Sequence, residues 1–364
     1  MKSNTSSYVS SGVSYNLMDP FKVLAQEQAR KTVPKNFKEL SLSRGESAYV
    51  WEDKDQYRAF VMEGLGSKNL VADEMRKVTD KSYYDTLAQD TVAMIINDLI
   101  VVGAKPEVIS AYFAVGDSHW FADKQRVHDL VTGWTKACQI ADVVWGGGET
   151  PTLKDLVYPE TIELAGSAVG SIKPKKRLTL GDRLIAGDTI VLIESNGIHA
   201  NGLTLCRKLA QQLPQDYSTK LPNGKLFGEG LLQPTHIYAR LIQSLFKAGI
   251  DIHYMVNITG HGWRKLMRAR KSFTYVLDTI PKPQPIFSFI QESADISDRE
   301  MYGNFNMGAG FAIFVAQKDS SKAQTIAQKN NFRAIIAGSV QKGKKQVIIK
   351  SKQIIFSEQD LAVR

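Results

Sequence analysis

The sequence predicts an α+β protein of two domains, and three observations support that fold class. The chain has 364 residues, 43% hydrophobic and 23% charged, which suits two folded domains at roughly 100–200 residues each. Strand-like and helix-like segments mix in both halves, without the regular alternation of a doubly wound sheet. A basic, turn-forming stretch, 173–188, separates the halves. We therefore expect an N-terminal domain over 1–175 and a C-terminal domain over 176–364.

The N-terminal half begins with residues 1–45, rich in Ser and Lys, which we expect to form a loosely packed lead-in. Apolar residues spaced at three and four predict a buried helix over 85–102, which ends at Gly103 with Pro106 beyond it. A second amphipathic helix is predicted over 122–141. Short apolar segments predict five strands, at 47–51, 57–62, 108–115, 143–145 and 162–172.

The C-terminal half shows the same two kinds of pattern. Strands are predicted at 189–195, 273–277 and 310–315, and helices at 201–213 and 234–248. A further helix is expected after Gly262, and it carries a basic run formed by Arg264, Lys265, Arg268, Arg270 and Lys271. That run is either a phosphate-binding face or a plain solvent face.

Charge and cysteine content favour some classes of protein and disfavour others. The formal net charge of +9 favours a phosphorylated or polyanionic ligand, but no aromatic–basic stacking motif supports a nucleic-acid partner. The two cysteines, Cys138 and Cys206, lie in apolar helical segments, which argues against a disulfide framework and predicts a reducing cytoplasm. No stretch approaches the ~20 apolar residues of a membrane helix, so no membrane association is expected.

Glycine-rich loops at strand ends are the strongest local signals for a binding site. The loop 63–68 reads Glu-Gly-Leu-Gly-Ser-Lys. Gly64 and Gly66 allow backbone N–H groups to approach an anion together with Ser67, and Lys68 matches the anion's charge. The loop lacks the spacing of a P-loop, so a tight turn with a surface lysine is an equally good interpretation.

Acidic residues on the predicted helix 85–102 are candidates for a metal site. Asp98 stands among apolar residues, and a buried carboxylate there must find a partner, because isolated buried charge is costly. A Mg²⁺ ion is one such partner, since hard cations prefer carboxylate oxygens. The alternative is a structural carboxylate that accepts backbone N–H groups.

Three further loops place polar residues at the ends of strands or the start of helices. The loop 145–150 sets Glu149 after Gly147 and Gly148, where it would face a metal or a phosphate. The loop 195–202 carries His199 and Asn201 ahead of a helix, whose N-terminus favours anions. His199 would donate to a phosphate or act in proton transfer, or it is a structural residue. The loop 259–263 adds Gly260 and Gly262.

These loops, in this order, resemble those of the aminoimidazole ribonucleotide synthetase family. The family's Asp-Gly-Val-Gly-Thr-Lys is similar to 63–68, and its Asn-Asp-Leu and Gly-Ala-x-Pro are similar to 97–99 and 103–106. Its remaining motifs, Gly-Gly-Glu-Thr, Ser-x-Gly-x-His-Ser-Asn-Gly, Leu-Thr-Gly-Gly-Gly-Phe and Met-Tyr-x-x-Phe-Asn-x-Gly-x-Gly, resemble 147–150, 195–202, 258–263 and 301–310. The resemblance starts near Tyr8 and spans nearly the whole chain.

The resemblance implies two α+β domains, with N-terminal strands of two subunits pairing into a barrel at a homodimer interface and a C-terminal α/β sandwich. It implies an ATP-dependent cyclo-ligase that binds Mg²⁺ and closes the imidazole ring of a phosphorylated ribonucleotide, formylglycinamidine ribonucleotide. Lys68, Asp98 and His199 would be catalytic, and Glu63, Asp98 and Glu149 would hold Mg²⁺. The residues implied to bind ATP and phosphate are Gly64, Gly66, Ser67, Lys68, Asn97, Gly147, Gly148, Asn201, Gly260 and Gly262.

The chain departs from the family pattern at several of these positions. Glu63 replaces an aspartate, Ser67 a threonine and His261 the middle glycine of the Gly-Gly-Gly loop. The segment 151–155 replaces the family's Ala-Glu-Met-Pro-Gly, and 35–45 lacks the expected glycines. Two alternatives therefore stay open beside the cyclo-ligase: a relative that acts on another substrate, and a non-catalytic nucleotide-binding protein.

Overall fold

A computed structural model describes residues 15–361, and their strands form two sheets, one in each half of the chain. The predicted similarity around Tyr8 lies outside the described residues. The elements of the N-terminal half are α1 (Tyr15–Arg30), β1 (Tyr49–Asp53), β2 (Gln56–Gly64), α2 (Lys68–Thr79), α3 (Tyr84–Ile100), β3 (Lys105–Val115), α4 (Lys124–Ala141), β4 (Val144–Glu149) and β5 (Ile162–Ile172).

The N-terminal sheet has the strand order β1-β2-β5-β3-β4, antiparallel except for the parallel pair β3–β4. Helix α3 packs on one face of this sheet, against β2 and β5, and α4 covers α3 from outside. Because α3 is enclosed on both sides, nearly all of its residues from Leu87 to Ile100 are buried, which explains its apolar sequence.

The opposite face of the N-terminal sheet carries exposed apolar side chains. Phe60, Met62, Val108 and Val144 are 43%, 66%, 38% and 63% exposed. Phe60 and Val108 both pair with Val169 of β5, so they lie in one row across the sheet. We call this surface the exposed sheet face.

The C-terminal half contains a seven-stranded sheet with the order β12-β11-β8-β10-β6-β9-β7. Its strands β6 to β9 are buried almost throughout, which accounts for their continuous apolar runs. The elements are β6 (Thr189–Glu194), α5 (Leu203–Ala210), α6 (Phe227–Leu231), α7 (Ala239–Lys247), β7 (Ile252–Asn257), β8 (Thr274–Leu277), α8 (Pro285–Ser293), α9 (Asp298–Asn304), β9 (Ala309–Val315), α10 (Ser320–Lys329), β10 (Ala334–Gln341), β11 (Gln346–Ile349) and β12 (Ile354–Ser357).

Both halves mix helices and strands, as predicted, and most predicted elements are present among others that were not predicted. Three of the predicted segments differ in the structure. The lead-in contains the 16-residue helix α1, with Pro20 in its second turn. The segment after Gly262 is a 3₁₀ helix, Gly262–Met267, rather than an α-helix. Helix α7 starts at Ala239, five residues late, because the residues before it hydrogen-bond to the N-terminal half. Among the described helices, none is long and apolar enough to cross a membrane.

Candidate functional site

A cavity of about 700 Å³ lies between the two halves. Its walls come from the ends of β2 and α3 on one side and from the loops that follow β6 and β7 on the other, and α1 lies along its outer edge. We call it the interdomain cleft. The polar residues that line it are Lys22, Gln26, Glu46, Glu63, Asp98, Asn201, Thr259, His261, Lys265 and Arg268.

Glu63 and Asp98, two of the predicted metal ligands, form a carboxyl pair in this cleft. Glu63 stands at the end of β2, and Asp98 is on α3, where its Oδ1 accepts a hydrogen bond of 2.6 Å from the Asn257 amide. Burial, followed by the charge of Asp98, raises the pKa of Glu63 to about 8, and the two carboxyl groups hydrogen-bond to each other. Glu63 is therefore the carboxyl of this pair whose protonated form is favoured, because burial beside a second carboxylate disfavours the charged form.

Two cations, Lys265 and Arg268, face the carboxyl pair from the 3₁₀ helix Gly262–Met267 and the residue after it. Lys265 donates to Thr259 Oγ1 over 2.7 Å. Burial lowers the pKa of Lys265, and the negative charge of Asp98 opposes that shift. Arg268 donates to Gly45 O over 3.0 Å. The sequence is compatible with either a phosphate-binding face or a solvent face for the basic run. The structure places these two of its members in the cleft.

The cleft also joins two of the predicted glycine-rich loops. Asn201 Oδ1 accepts a hydrogen bond of 3.0 Å from the Gly260 N–H, so the loop after β6 is tied to the loop after β7. The Asn201 side-chain Nδ2 is buried, and no acceptor lies within reach among the described residues. A buried amide N–H without an acceptor is rare, and this one is available to donate to a group bound in the cleft.

Lys68, in contrast, lies outside the cleft. Its side chain is fully buried where the two halves meet, with Nζ 2.7 Å from Asp90 Oδ2. It also donates to the backbone oxygens of His199 and Gln233, at 3.0 Å each. The Lys68 ammonium therefore makes two hydrogen bonds and one ion pair with protein oxygens. Burial and the Asp90 ion pair hold the amine between the two halves, and the phosphate contact of Lys68 stays a prediction.

Asn97 also lies in the buried contact between the two halves, near Lys68. Its Nδ2 donates to His236 O over 2.7 Å, and its Oδ1 accepts from the Tyr238 N–H over 3.0 Å. Asp90 Oδ1 accepts from the Thr235 N–H over 2.8 Å. The side chain of Asn97 thus holds the segment 235–238 against α3, and it does not line the cleft.

His199 is buried in the C-terminal half, with 1% of its surface exposed. Burial, followed by the nearby His236 and Lys68, holds the pKa of His199 well below its usual range. Its ring packs beside that of His236, with ring centroids 6.2 Å apart. The imidazole does not line the cleft, and its role in proton transfer stays a prediction.

The remaining predicted residues occupy three other places. Gly66 and Ser67 line a neighbouring cavity of about 350 Å³, together with Tyr158 and Glu163, and Gly64 adjoins it, since a Cβ there would lie 3.3 Å from Glu163 Oε1. Gly262 is structural, because at its φ of +51° a Cβ would meet Tyr302 O at 2.3 Å.

Glu149 lies at the end of the edge strand β4, paired with Tyr112, and is exposed together with Gly147 and Gly148. Within one chain it does not join Glu63 and Asp98. Among residues 15–361, no group of three or more His, Cys, Asp or Glu side chains could hold a metal ion. Mg²⁺ needs only one or two carboxylates when phosphates and water complete its shell, so the Glu63–Asp98 pair fits it.

The raised pKa of Glu63 predicts a specific pH dependence of stability. Its folded pKa of about 8 exceeds the 4.5 of an exposed glutamate, so folding favours the protonated form. This stabilisation is complete below about pH 4 and is lost as the pH rises through about 8. We expect Glu63→Gln to remove part of the fall in unfolding free energy between those values, measured by urea denaturation without Mg²⁺. Identical dependence of the unfolding free energy on pH in the variant and the wild type would contradict the raised pKa of Glu63.

Comparisons with known proteins identify the family of the chain. Residues 45–172 match the family model of the AIR synthase related protein N-terminal domain, and residues 186–351 match that of its C-terminal domain. The phosphoribosylformylglycinamidine cyclo-ligase of Methanocaldococcus jannaschii is 36% identical over 288 residues, 79% of either chain. The enzyme of that name from Methanothermobacter thermautotrophicus is 36% identical over 270 residues, 74% of this chain and 76% of its own.

Solved structures share the fold. AaThiL complexed with AMPPCP and TMP superposes with a TM-score of 0.62 at 13% identity, covering 94% of this chain and 96% of that one. Phosphoribosylformylglycinamidine synthase II from Thermotoga maritima gives a TM-score of 0.60 at 14% identity, over 90% of this chain and 48% of its own. Together with the family matches across both halves, these comparisons show that the chain belongs to the AIR synthase related family, among relatives named phosphoribosylformylglycinamidine cyclo-ligase.

Proposed function

We propose that this chain is an ATP-dependent cyclo-ligase that converts formylglycinamidine ribonucleotide to aminoimidazole ribonucleotide, with release of ADP and phosphate. The single observation that carries the proposal is the cleft itself, where the Glu63–Asp98 carboxyl pair faces Lys265 and Arg268. Carboxylates opposite cations suit a metal-bound nucleotide and the phosphate of a ribonucleotide. The names of the relatives, at 33–36% identity, support the same activity.

The reaction needs positioning and charge neutralisation more than covalent help from the protein. The γ-phosphoryl group moves from ATP to the formyl oxygen, which turns a poor leaving group into phosphate. An amidine nitrogen then attacks the formyl carbon, the C–O bond breaks, and loss of protons gives the aromatic ring. Glu63 and Asp98 would hold Mg²⁺, which would neutralise the nucleotide phosphates. Lys265 and Arg268 would bind phosphate, and Asn201 Nδ2 and the Gly260 segment would orient the ribonucleotide.

The proposed roles of the other predicted residues follow from their positions in the structure. Gly64, Gly66 and Ser67 would offer backbone N–H groups to the ATP phosphates from the neighbouring cavity. Lys68, Asn97 and His199 would act as positioning residues, since Lys68 and Asn97 hold the two halves together by their side chains and the His199 backbone oxygen accepts from Lys68. We further place the protein in the cytoplasm, with both cysteines free and buried, and expect no nucleic-acid partner.

We also propose that two chains pair through the exposed sheet face and close a barrel. A row of apolar side chains on a sheet, 38–66% exposed, is a recognised mark of a protein interface. The free edge of β4, with Gly147, Gly148 and Glu149, lies on the same sheet. Pairing would cover that edge and bring Glu149 to a subunit interface.

Met62→Glu is expected to give a monomer, because pairing would bury an unpartnered charge. Loss of about 3 kcal/mol of binding free energy would raise the dissociation constant about 100-fold, which analytical ultracentrifugation measures. Ile355→Glu is the matched control: Ile355 is a 51% exposed strand residue of the C-terminal sheet, so its change should leave the dimer intact. A monomeric wild type, or a dimeric Met62→Glu protein, would refute the pairing.

The activity itself is tested by incubating the protein with Mg·ATP and formylglycinamidine ribonucleotide. We expect phosphate and aminoimidazole ribonucleotide in equal amounts. The presence of His261 in the cleft lining, where the resembling motif has glycine, favours one second candidate, a relative with a different ribonucleotide substrate. ATP turnover on another ribonucleotide, with no aminoimidazole product, would decide for that candidate, whereas ATP binding without any turnover would point to a non-catalytic protein.

A further inference from the structure

Two large side chains stand in solvent beside the neighbouring cavity, the one that Gly66 and Ser67 line. Leu156 and Tyr158 are 83% and 78% exposed, and both belong to the lining of that cavity. Leu156 is the most exposed large apolar side chain among residues 17–361. Apolar groups left in solvent at the edge of a cavity indicate a contact with a ligand or a partner.

The backbone that carries these two side chains is held in place. Leu153, at the start of the turn, donates its N–H to Val115 O over 2.7 Å. Thr161, at its end, donates both its N–H and its hydroxyl to Tyr158 O, at 3.0 Å each. The turn packs so closely on Gly116 that a Cβ there would lie 2.2 Å from Tyr158 O. The two side chains are therefore exposed on an ordered turn, which lowers the entropic cost of binding a ligand there.

The loop 63–67 joins the interdomain cleft to the neighbouring cavity. Glu63 lines the cleft, whereas Gly66 and Ser67 line the neighbouring cavity. A nucleotide whose phosphates follow this loop must present its terminal phosphate to the cleft, because the carboxyl pair and the proposed ribonucleotide site lie there. Its base then lies at the other end of the loop, in the neighbouring cavity.

The neighbouring cavity has the size and the lining that a nucleobase needs. Its volume is about 350 Å³, within the ~300–1,000 Å³ typical of ligand pockets. Its wall combines the aliphatic side chains of Leu70, Leu156 and Val157 with the ring of Tyr158. Among the described residues that line it, none is Lys or Arg, so the cavity suits an uncharged base better than a further phosphate. Every base has a flat π-face that stacks on an aromatic ring.

We propose that Tyr158 is a nucleobase-binding residue, whose ring stacks on the base of ATP while Leu156 adds an aliphatic contact. The assignment rests on the proposed function for the presence of ATP, and it adds the end of the site that holds the base. Motif similarity does not point to these two residues, because the Gly-Gly-Glu-Thr motif ends at Thr150 and the segment 151–155 departs from the family pattern.

Isothermal titration calorimetry of Mg·ATP, without the second substrate, tests the proposal. Tyr158→Ala should raise the dissociation constant about tenfold, since the stacking of a base on an aromatic ring is commonly worth about that much. Tyr158→Phe keeps the ring and should bind as the wild type does. Ile355→Ala is the control, because Ile355 is also an exposed apolar residue, at 51%, but lies on β12 of the C-terminal sheet. It should bind ATP with wild-type affinity.

Unchanged ATP affinity of Tyr158→Ala would overturn the stacking contact and leave the proposed function in place. Equal weakening in Tyr158→Ala and Tyr158→Phe would overturn it as well, because the hydroxyl and not the ring would then be responsible. A wild type that does not bind Mg·ATP would overturn both proposals. Analytical ultracentrifugation of Tyr158→Ala should match the wild type, since a change in oligomeric state would assign the exposed ring to a subunit interface and overturn the base contact.

Discussion

Replacing Asp98 by asparagine is expected to lower kcat by at least about 10²–10³-fold while leaving the fold intact, the size of effect seen when one group that stabilises the transition-state charge is lost. Asp98 shares the cleft with Glu63 and the cations Lys265 and Arg268. Asparagine keeps an oxygen for the hydrogen bond from Asn257, so packing is preserved. It removes the negative charge, however, and with it the favourable contact with a hard cation.

Phosphate release and circular dichroism together measure the effect of Asp98→Asn. Asp85→Asn provides a control on the same helix, because Asp85 is exposed near the start of α3 and does not line the cleft. The control should retain wild-type turnover. Normal turnover of Asp98→Asn would show that the metal site lies elsewhere. Glu63 would then no longer be assigned as a Mg²⁺ ligand.

Replacing Lys68 by methionine is expected to lower the free energy of unfolding by about 3–5 kcal/mol, as loss of one partner of a buried ion pair does. The change leaves the Asp90 carboxylate without a cation. That carboxylate is fully inaccessible to water, so its unpaired charge is costly. It also removes two hydrogen bonds to His199 O and Gln233 O, which cross between the halves. Adding Asp90→Asn should restore part of the lost free energy of unfolding, because the unpaired buried carboxylate is then removed.

Urea denaturation of Lys68→Met measures this loss, and Lys77→Met serves as the comparison. Lys77 lies on the same helix and pairs with Glu74, but its side chain is 69% exposed, so its change should cost less than about 1 kcal/mol. Equal stability of Lys68→Met and wild type would rule out the structural role. If that stable variant also failed to bind ATP, Lys68 would regain the phosphate contact that its motif predicts.

Sequence motifs located the residues of the cleft better than they assigned individual roles. Glu63, Asp98, Asn201 and Gly260, taken from four separate loops or helices, converge in one cleft. A motif fixes a residue's place along the chain, but the direction of a side chain depends on packing. Lys68 is the first residue of α2, which directs its side chain into the buried contact between the two halves. Nothing in the local sequence indicates that Asp90 would pair with it there.

Helix α1 was missed for a related reason. Reading a helix from hydrophobic periodicity assumes that apolar residues face the core, whereas α1 buries Asp19 and exposes Leu17 and Phe21. Pro20 weakened the helical pattern further. Lys265 and Arg268 did carry a signal, the basic run, but only the folded 3₁₀ turn shows which members of that run reach the cleft.

The most direct test of the account is the fate of the formyl oxygen. The protein would be incubated with Mg·ATP and formylglycinamidine ribonucleotide carrying ¹⁸O in its formyl group, and the phosphate released would be analysed by mass spectrometry. If the cleft transfers a phosphoryl group to that oxygen before ring closure, each phosphate formed with aminoimidazole ribonucleotide carries one ¹⁸O atom. Unlabelled phosphate, or phosphate released without aminoimidazole ribonucleotide, would contradict the cyclo-ligase mechanism proposed for this chain.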